Sequence, residues 1–315
     1  MVILRQIEPS AAFATHHPDA HWTASNPDGA VVARCSLWWT DVPSLPGHRL
    51  GVIGHYDATD TGAAVKLLEC ATDELRVRHC TLAVGPMDGN TWRRYRLVTT
   101  PGVEPPFFME PTNPMDWVRQ FEQAGFGPLA TYESALNTDL ARRDERAESA
   151  WTRFAERGIT IRQIDSGRYD AEMRTIYRMS CVAFTKNHLY TPIAEDAFVA
   201  MYRPILPHLR PELTLMAESD GRLIGYSFTV PNLAEAQRGK PIRTVIVKTV
   251  AVLPERTGMG LGAVLIDRSQ KIAHDLGYTR AIHALMHESN RSRNISRHTA
   301  SVFRRYTLFA KPIAP

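Results

Sequence analysis

Apolar positions along the chain fall into two successive series of strand and helix patterns, separated by a highly charged stretch. In the first series, Ala30 to Trp39 and Arg49 to Tyr56 are apolar-rich runs of strand length, with a turn-rich segment from Asp41 to Gly47 between them. Ala64, Leu67, Leu68, Ala71 and Leu75 recur at helical spacing and predict a helix over 63–77, capped by Asp60 or Thr61. A short strand over 81–84 ends at Gly85-Pro86. Prolines at 101, 105, 106, 111 and 114 predict a loop over 100–114, with Phe107, Phe108 and Met109 pinned against a core. An amphipathic helix over 116–124 stops at Gly125, and Leu129 to Leu136 reads as a closing strand.

Residues 138–157 are highly charged, with Leu140, Trp151 and Phe154 on one helical face, and predict a connecting helix ended by Gly158. The second series then runs as a strand (159–164), two helices (169–184 and 195–202), and a hairpin (213–218 and 222–230) around Ser219-Asp220-Gly221. A polar loop (231–241), a strand from Val245, a glycine turn, a helix (261–276), a strand (279–286), a loop with a short helix (287–300) and a last strand (303–310) complete it. The expected layout is thus one domain over 1–137, a connecting helix over 138–157 and a second domain over 158–315.

The turn Arg256-Thr257-Gly258-Met259-Gly260-Leu261-Gly262-Ala263 carries the clearest chemistry. Its glycines let a backbone come close to a ligand. The helix behind it offers unpaired N–H groups and the positive end of its dipole. Arg256 adds a full charge, and such a turn suits a diphosphate. With Val250-x-Val252-x-Pro254 leading in, the second series resembles the GNAT superfamily of acyl-CoA-dependent N-acetyltransferases over about residues 158–310. Thr257 stands where the family usually has Arg or Gln, and Gly260 and Gly262 match.

The resemblance implies an α/β (α+β) protein of two GNAT-like domains, each a mixed, mostly antiparallel sheet flanked by helices. It implies that amides of Gly258 to Ala263 hold the coenzyme A diphosphate, that main-chain groups of Val250 and Val252 pair with the pantetheine arm, and that Asn290 bonds pantetheine. Acetyl-CoA, or another acyl-CoA, is the implied cosubstrate, and no metal is expected. The first series matches the same fold in order, but Asp57-Ala58-Thr59-Asp60-Thr61-Gly62 stands in place of the glycine turn. Its two carboxylates repel a diphosphate, so a degenerate N-terminal copy is expected, with its proline-rich loop walling the acceptor site.

The implied reaction is transfer of an acetyl group to a primary amine by direct attack. Tyr306 and His298 are candidate acids, because the family's usual tyrosine position falls near His298. Glu218 and His287-Glu288 are candidate proton acceptors. Lys248 either turns inward with a partner or faces solvent. A non-catalytic acyl-CoA sensor or scaffold, and an aminoacyl-tRNA-dependent transferase on a doubled fold, are the alternative readings.

Composition narrows the partners. Net charge is only +4 over 315 residues, too weak by itself for nucleic acid and suited to an anionic small ligand. Trp92-Arg93-Arg94-Tyr95-Arg96 mixes basic and aromatic residues, which a half-buried element with a solvated face explains equally well. Gly258-x-Gly260-x-x-Ala263 matches a dinucleotide fingerprint, but about fifty residues follow it, too few for such a sheet. Arg291, Arg293, Arg304 and Arg305 are candidates for the adenosine 3′-phosphate. The 12 histidines show no metal-ligand spacing, and His16-His17 reads as a mobile terminal pair. The 4 cysteines form no Cys-x-x-Cys pair and are expected as free thiols. The N-terminus has no basic-then-apolar leader pattern, and no apolar run approaches the roughly 20 residues of a membrane span. A cytoplasmic monomer or homodimer acting on a small-molecule or peptide amine, with no membrane, is the expectation.

Overall fold

A computed structural model of the chain describes residues 2–290, 293 and 296–313. The first half runs β1 (Ile3–Gln6), α1 (Ala11–Ala14), β2 (Ala20–Ser25), β3 (Val31–Trp38), β4 (Leu50–Ala58), α2 (Thr61–Val77), β5 (Leu82–Gly85), β6 (Leu97–Thr100), α3 (Asp116–Gln123) and β7 (Gly127–Asn137). Then come α4 (Glu145–Glu156), β8 (Thr160–Gln163), α5 (Tyr169–Ala183), α6 (Glu195–Tyr202), β9 (Thr214–Ser219), β10 (Arg222–Pro231), α7 (Leu233–Gln237), β11 (Thr244–Val252), α8 (Leu261–Asp275), β12 (Arg280–His287) and β13 (Ser301–Pro312). Among these residues no helix is long and apolar enough to cross a membrane, and the cysteines are free thiols.

The strands form one continuous sheet in the order β1-β2-β3-β4-β5-β13-β7-β12-β11-β10-β9-β8, with β6 also paired to β13. Among the described residues only β4·β5 and β11·β12 are parallel. The two series are interlocked. The last strand, β13, lies against β5 and β6 of the first half, while β7 of the first half lies against β12 of the second. The β13–β7 ladder, from Ser301↔Leu136 to Ala310↔Gly127, joins the two half-sheets. No local signal in either strand specifies this exchange, since both are ordinary half-buried strand patterns.

Local chemistry explains most boundaries. Asp60 caps α2 by accepting from the Ala63 amide at 2.6 Å. The connecting helix is shorter than its charge pattern predicts. Asn137 and Asp139 accept from the amides of Asp139, Ala141 and Arg142, which holds 138–144 in turns, and Asp144 then caps α4. The strands β1, β2 and β6 and the short α1 add to the elements the periodicity indicated.

In the second half, adjacent residues on β10 face opposite sides of the sheet. Gly225 faces α8, where a Cβ would come within 3.1 Å of Leu261, and Tyr226 faces α5, bonding Ser180 at 2.8 Å. The sheet is thereby sandwiched between α8 and α5. The main core, including Ile176, Phe198, Phe228, Ile246, Val264 and Leu265, fills both layers.

Candidate active site

The parallel pair β11·β12 is short. It runs only from Thr244↔Arg280 to Val247↔His283. Past that point β12 stays with β7 through a register break between His283 and Met286, where Leu285 takes φ 57°. At the same level β11 bulges away on its other edge: Phe228 pairs with Thr249 and Thr229 with Val247, so Lys248 is the extra residue. Two neighbouring strands therefore part company, and a cavity of about 1010 Å³ opens at the gap.

One edge of the gap leads into the glycine turn. A 3₁₀ turn over Pro254–Arg256 is followed by Gly258 at φ 86° and Gly260 at φ 95°, and α8 starts at Leu261 with no side chain capping its amides. Only glycine enters the left-handed region freely, which is why this sequence can make the bend. Thr257 and Gly258 are exposed. The residues expected to hold the carrier fall in one contiguous line. Val250 and Val252 pair with Ser227 and Gly225 of β10, leaving the other edge of β11 toward the gap. Arg256, Thr257, Gly258, Met259, Gly260, Leu261, Gly262 and Ala263 continue it. Asn290 lines the cavity, and its N–H donates to the His287 carbonyl at 2.8 Å.

The connecting segment docks beside this turn. Arg143 grips Asp267 of α8, the Asp144 amide donates to the same carboxylate at 3.2 Å, and Arg268 lies 3.8 Å over Trp151. A Cβ on Gly260 would sit 3.3 Å from that of Ala150.

Lys248, His287 and His188 also line the cavity. Burial, reinforced by the like charge of Arg96 and opposed by Glu110, pushes the Lys248 ammonium down to about 8. The Arg96 guanidinium is fixed between the rings of Tyr95 and Tyr132, 4.0 and 4.1 Å from their centroids. The Ser289 amide donates to Nδ1 of His287 at 3.1 Å, so the neutral ring carries its proton on Nε2. Nε2 of His287 and of His188 are both buried without a protein partner. The two rings stack at 5.4 Å, and burial lowers the pKa of each.

The first half supplies a wall. Thr91 to Arg96 and Met109 to Thr112 line the cavity opposite β11, joined by Phe184 to Tyr202 of the second half. Trp92 locks the two together: Nε1 donates to the Thr191 carbonyl at 2.6 Å, and the ring meets Phe198 edge-on at 5.6 Å. The aromatic-basic string at 92–96 is thus cavity lining.

Three of the candidate proton carriers lie elsewhere. Tyr306 is fully buried within the sheet, where its hydroxyl bonds Ser134 at 3.0 Å and Glu110. Burial and the Glu110 carboxylate raise its pKa, the reverse of what an acid needs. His298 is exposed and approaches Asp144, the α4 cap. Glu218 pairs with Arg162 at 2.8 Å, which also binds Glu172 at 2.9 Å, tying β8, β9 and α5 together. His287 alone of the four reaches the cavity. Arg293 and Arg304 are engaged by Glu133 and Glu110, Arg305 is exposed, and Arg291 lies outside the described residues.

We expect Tyr306→Phe to cost about 1–3 kcal/mol of stability, because it leaves a buried Glu110 oxygen short of a donor, and to leave turnover unchanged. Chemical denaturation alongside steady-state kinetics checks this, and a turnover loss at unchanged stability would restore Tyr306 as the acid.

The first half contains the same split in closed form. β4 and β5 pair from Leu50↔Leu82 to Val52↔Val84 and then separate. Here the chain after β5 fills the gap itself: the Met87 amide donates to the Ile53 carbonyl at 2.8 Å, and Asp88 accepts from the His55 amide at 2.5 Å.

A sheet split between two parallel strands, with an uncapped glycine turn at one end, is the arrangement that the resemblance to the GNAT superfamily implies. Residues 174–296 match the model of the acetyltransferase (GNAT) family. A Caulobacter vibrioides protein named bacterial ceramide synthase is 27% identical over 226 residues, covering 70% of this chain and 58% of that protein, so the chain spans little more than half of that relative. Among solved structures, a GCN5-related N-acetyltransferase from Sphaerobacter thermophilus matches with TM-score 0.54 at 15% identity, over 100% of this chain and 96% of that one. A tandem GNAT protein from the clavulanic acid biosynthesis pathway matches with TM-score 0.50 at 13% identity, over 100% and 84%. At these identities the two structures speak for the tandem fold alone.

Proposed function

We propose that the second half binds an acyl-CoA and transfers its acyl group directly to a primary amine. The observation that carries this reading is the open β11–β12 split running from the uncapped 257–263 turn to Lys248, His188 and His287. The diphosphate would lie on the amides at the start of α8, and the pantetheine would add to the free edge of β11 as a strand does. Holding thioester and amine in line supplies much of the rate. His287, with its proton on Nε2, donates a hydrogen bond to a carbonyl oxygen. His188 is our candidate to take the proton from the amine and return it to the departing CoA thiolate.

The acceptor we favour carries an anionic group. The ionisable side chains lining the cavity include Arg93, Arg94, Arg96, Lys186 and Lys248, whereas the acid Glu110 is already bound to Arg304 and Tyr306. A polyamine would meet like charge there. We also propose that residues 1–137 are a copy that lost its carrier, because Met87 and Asp88 occupy the strand-addition edge and Asp60 occupies the amides that start α2.

Acetyl is the donor the family resemblance suggests. A larger acyl group is the second reading, favoured by a cavity at the upper end of those holding drug-sized ligands and by the name of the Caulobacter relative. The test is thermal stabilisation by acetyl-, octanoyl- and palmitoyl-CoA, followed by thiol release with amino-acid and polyamine acceptors. We expect stabilisation by at least one thioester, as any native-state ligand produces, and faster release with amines bearing a carboxylate. Absence of stabilisation by every thioester removes the reading. Stabilisation without acceptor-dependent release marks a carrier-binding sensor.

A further inference from the structure

The closed split of the first half contains a side-chain cluster that acyl transfer does not use. β4 bulges just past the point where β5 leaves it, as β11 does at Lys248: Ser36 pairs with Gly54 but Arg34 with Asp57. His55 sits in that bulge at φ 46°, a left-handed conformation unusual for a non-glycine residue and therefore maintained by its surroundings. The bulge aims its imidazole at His16, with Nε2 of His55 2.7 Å from Nδ1 of His16. Asp88 adds a carboxylate, and the three ligand atoms lie within 4.8 Å of one another. His16 is thus held in place, contrary to its reading as part of a mobile terminal pair.

The surroundings orient the pair. Nδ1 of His55 is 2.8 Å from Oγ of Ser36, which is 2.7 Å from Nδ1 of His21. Ser36 has one proton to give. If it donates to His21, it must accept from His55, and Nε2 of His55 then presents a lone pair toward His16. That lone pair can accept from Nδ1–H of His16 at 2.7 Å, or ligate a cation once His16 gives up that proton. Phe13 stacks on His55 at 4.0 Å, and Trp38 packs edge-on at 5.0 Å while donating to the His16 carbonyl at 2.9 Å. The nearby charges are Arg34, paired with Asp57, and Arg93, which donates to the carbonyls of His16 and Asp88 at 3.2 and 3.3 Å.

We propose that His16, His55 and Asp88 form a site for a divalent transition metal, zinc being the best match, with Ser36 and His21 as its outer shell. Two imidazoles and a carboxylate are a zinc ligand set. Tetrahedral coordination needs the facing nitrogens to open by roughly half an ångström, a small ring rotation for the half-buried His16. The Asp88 carboxylate offsets Arg93. The metal would clamp three segments: the N-terminal stretch, β4, and the loop after β5 whose continuation, Thr91 to Arg96, walls the acyl cavity. Its role is to fix that wall.

The experiment is metal analysis of the full chain, purified without a histidine tag and dialysed, followed by titration of metal-free protein with Zn²⁺ and with Co²⁺. We expect one Zn²⁺ per chain and a tetrahedral Co²⁺ absorption band. His16→Ala should weaken zinc binding about 100-fold and Ser36→Ala about 10-fold, whereas His188→Ala, at the separate cavity pair, should leave it unchanged. EDTA should lower the melting temperature of the parent and not of His16→Ala. Zinc binding weaker than about 10 μM in the parent, or identical in parent and His16→Ala, overturns the proposal. Neither readout depends on acyl-CoA or on activity, so this site and the acyltransferase reading can fail separately.

Discussion

Thr257→Asp should abolish stabilisation of the protein by coenzyme A thioesters while leaving the melting temperature of the free protein within about 1–2 °C of the parent. Thr257 is exposed and has ordinary backbone angles, φ −70° and ψ 140°, so an aspartate fits without backbone strain. Its hydroxyl gives up one bond to the Leu253 carbonyl at 3.2 Å. The new carboxylate would stand in the turn where the diphosphate is proposed to lie. Each like-charge pair at contact distance costs on the order of 1–4 kcal/mol near a protein surface, so affinity should fall at least 100-fold. Calorimetric titration with CoA measures it. Gly260→Asp is a poorer probe, because φ 95° and the 3.3 Å approach to Ala150 would strain the turn and disturb α4 against α8. Unchanged CoA affinity in Thr257→Asp would sink the proposed carrier site.

Lys248→Met should impair the proposed acyl transfer and stabilise the fold. The folded ammonium titrates near 8, against 10.5 when unperturbed, because burial and Arg96 oppose its charge. Below pH 8 the folded protein holds a proton it binds less tightly than the unfolded chain does. That penalty is full below the folded value and fades as pH rises from about 8 to 10.5. Discounted for contact with cavity solvent, it is on the order of 2 kcal/mol at pH 7. The methionine variant should therefore gain about that much stability at pH 7, and the gain should vanish by about pH 10.5. If the charge binds an anionic acceptor, KM for that acceptor should rise about 10- to 100-fold in the variant. In the parent, KM should climb above pH 8. A variant with parental KM and parental stability would show that Lys248 neither carries strain nor meets substrate.

Much of the proposed carrier side was readable in order along the chain, because its determinants are local. Gly258 and Gly260 sit where the backbone needs φ > 0, Asp60 sits where a helix needs a cap, and both signals act within a few residues. The proposed acceptor side was not readable. His188, in an unremarkable loop, meets His287 only because β7 and the 184–202 segment bring them together. Trp92 to Arg96 looks like a solvated basic run until its indole is seen bonded to Thr191. Tyr306 is the tyrosine nearest in sequence to the expected acid position at His298, yet the β13 ladder carries it into the sheet beside Ser134. His16 and His55 lie 39 residues apart, and only the bulge in β4 turns one ring toward the other.

By itself, then, the sequence determined the two series of elements, the uncapped turn at 257–263 and the acidic, self-capped turn at 57–62, since short-range sterics and helix-end hydrogen bonding decide such features. The tertiary structure alone decided which split is open and which is closed, the exchange of β13 and β7 between half-sheets, and the side chains that share a cavity. Those outcomes depend on long-range strand pairing, and the pattern of a single strand does not encode its partner.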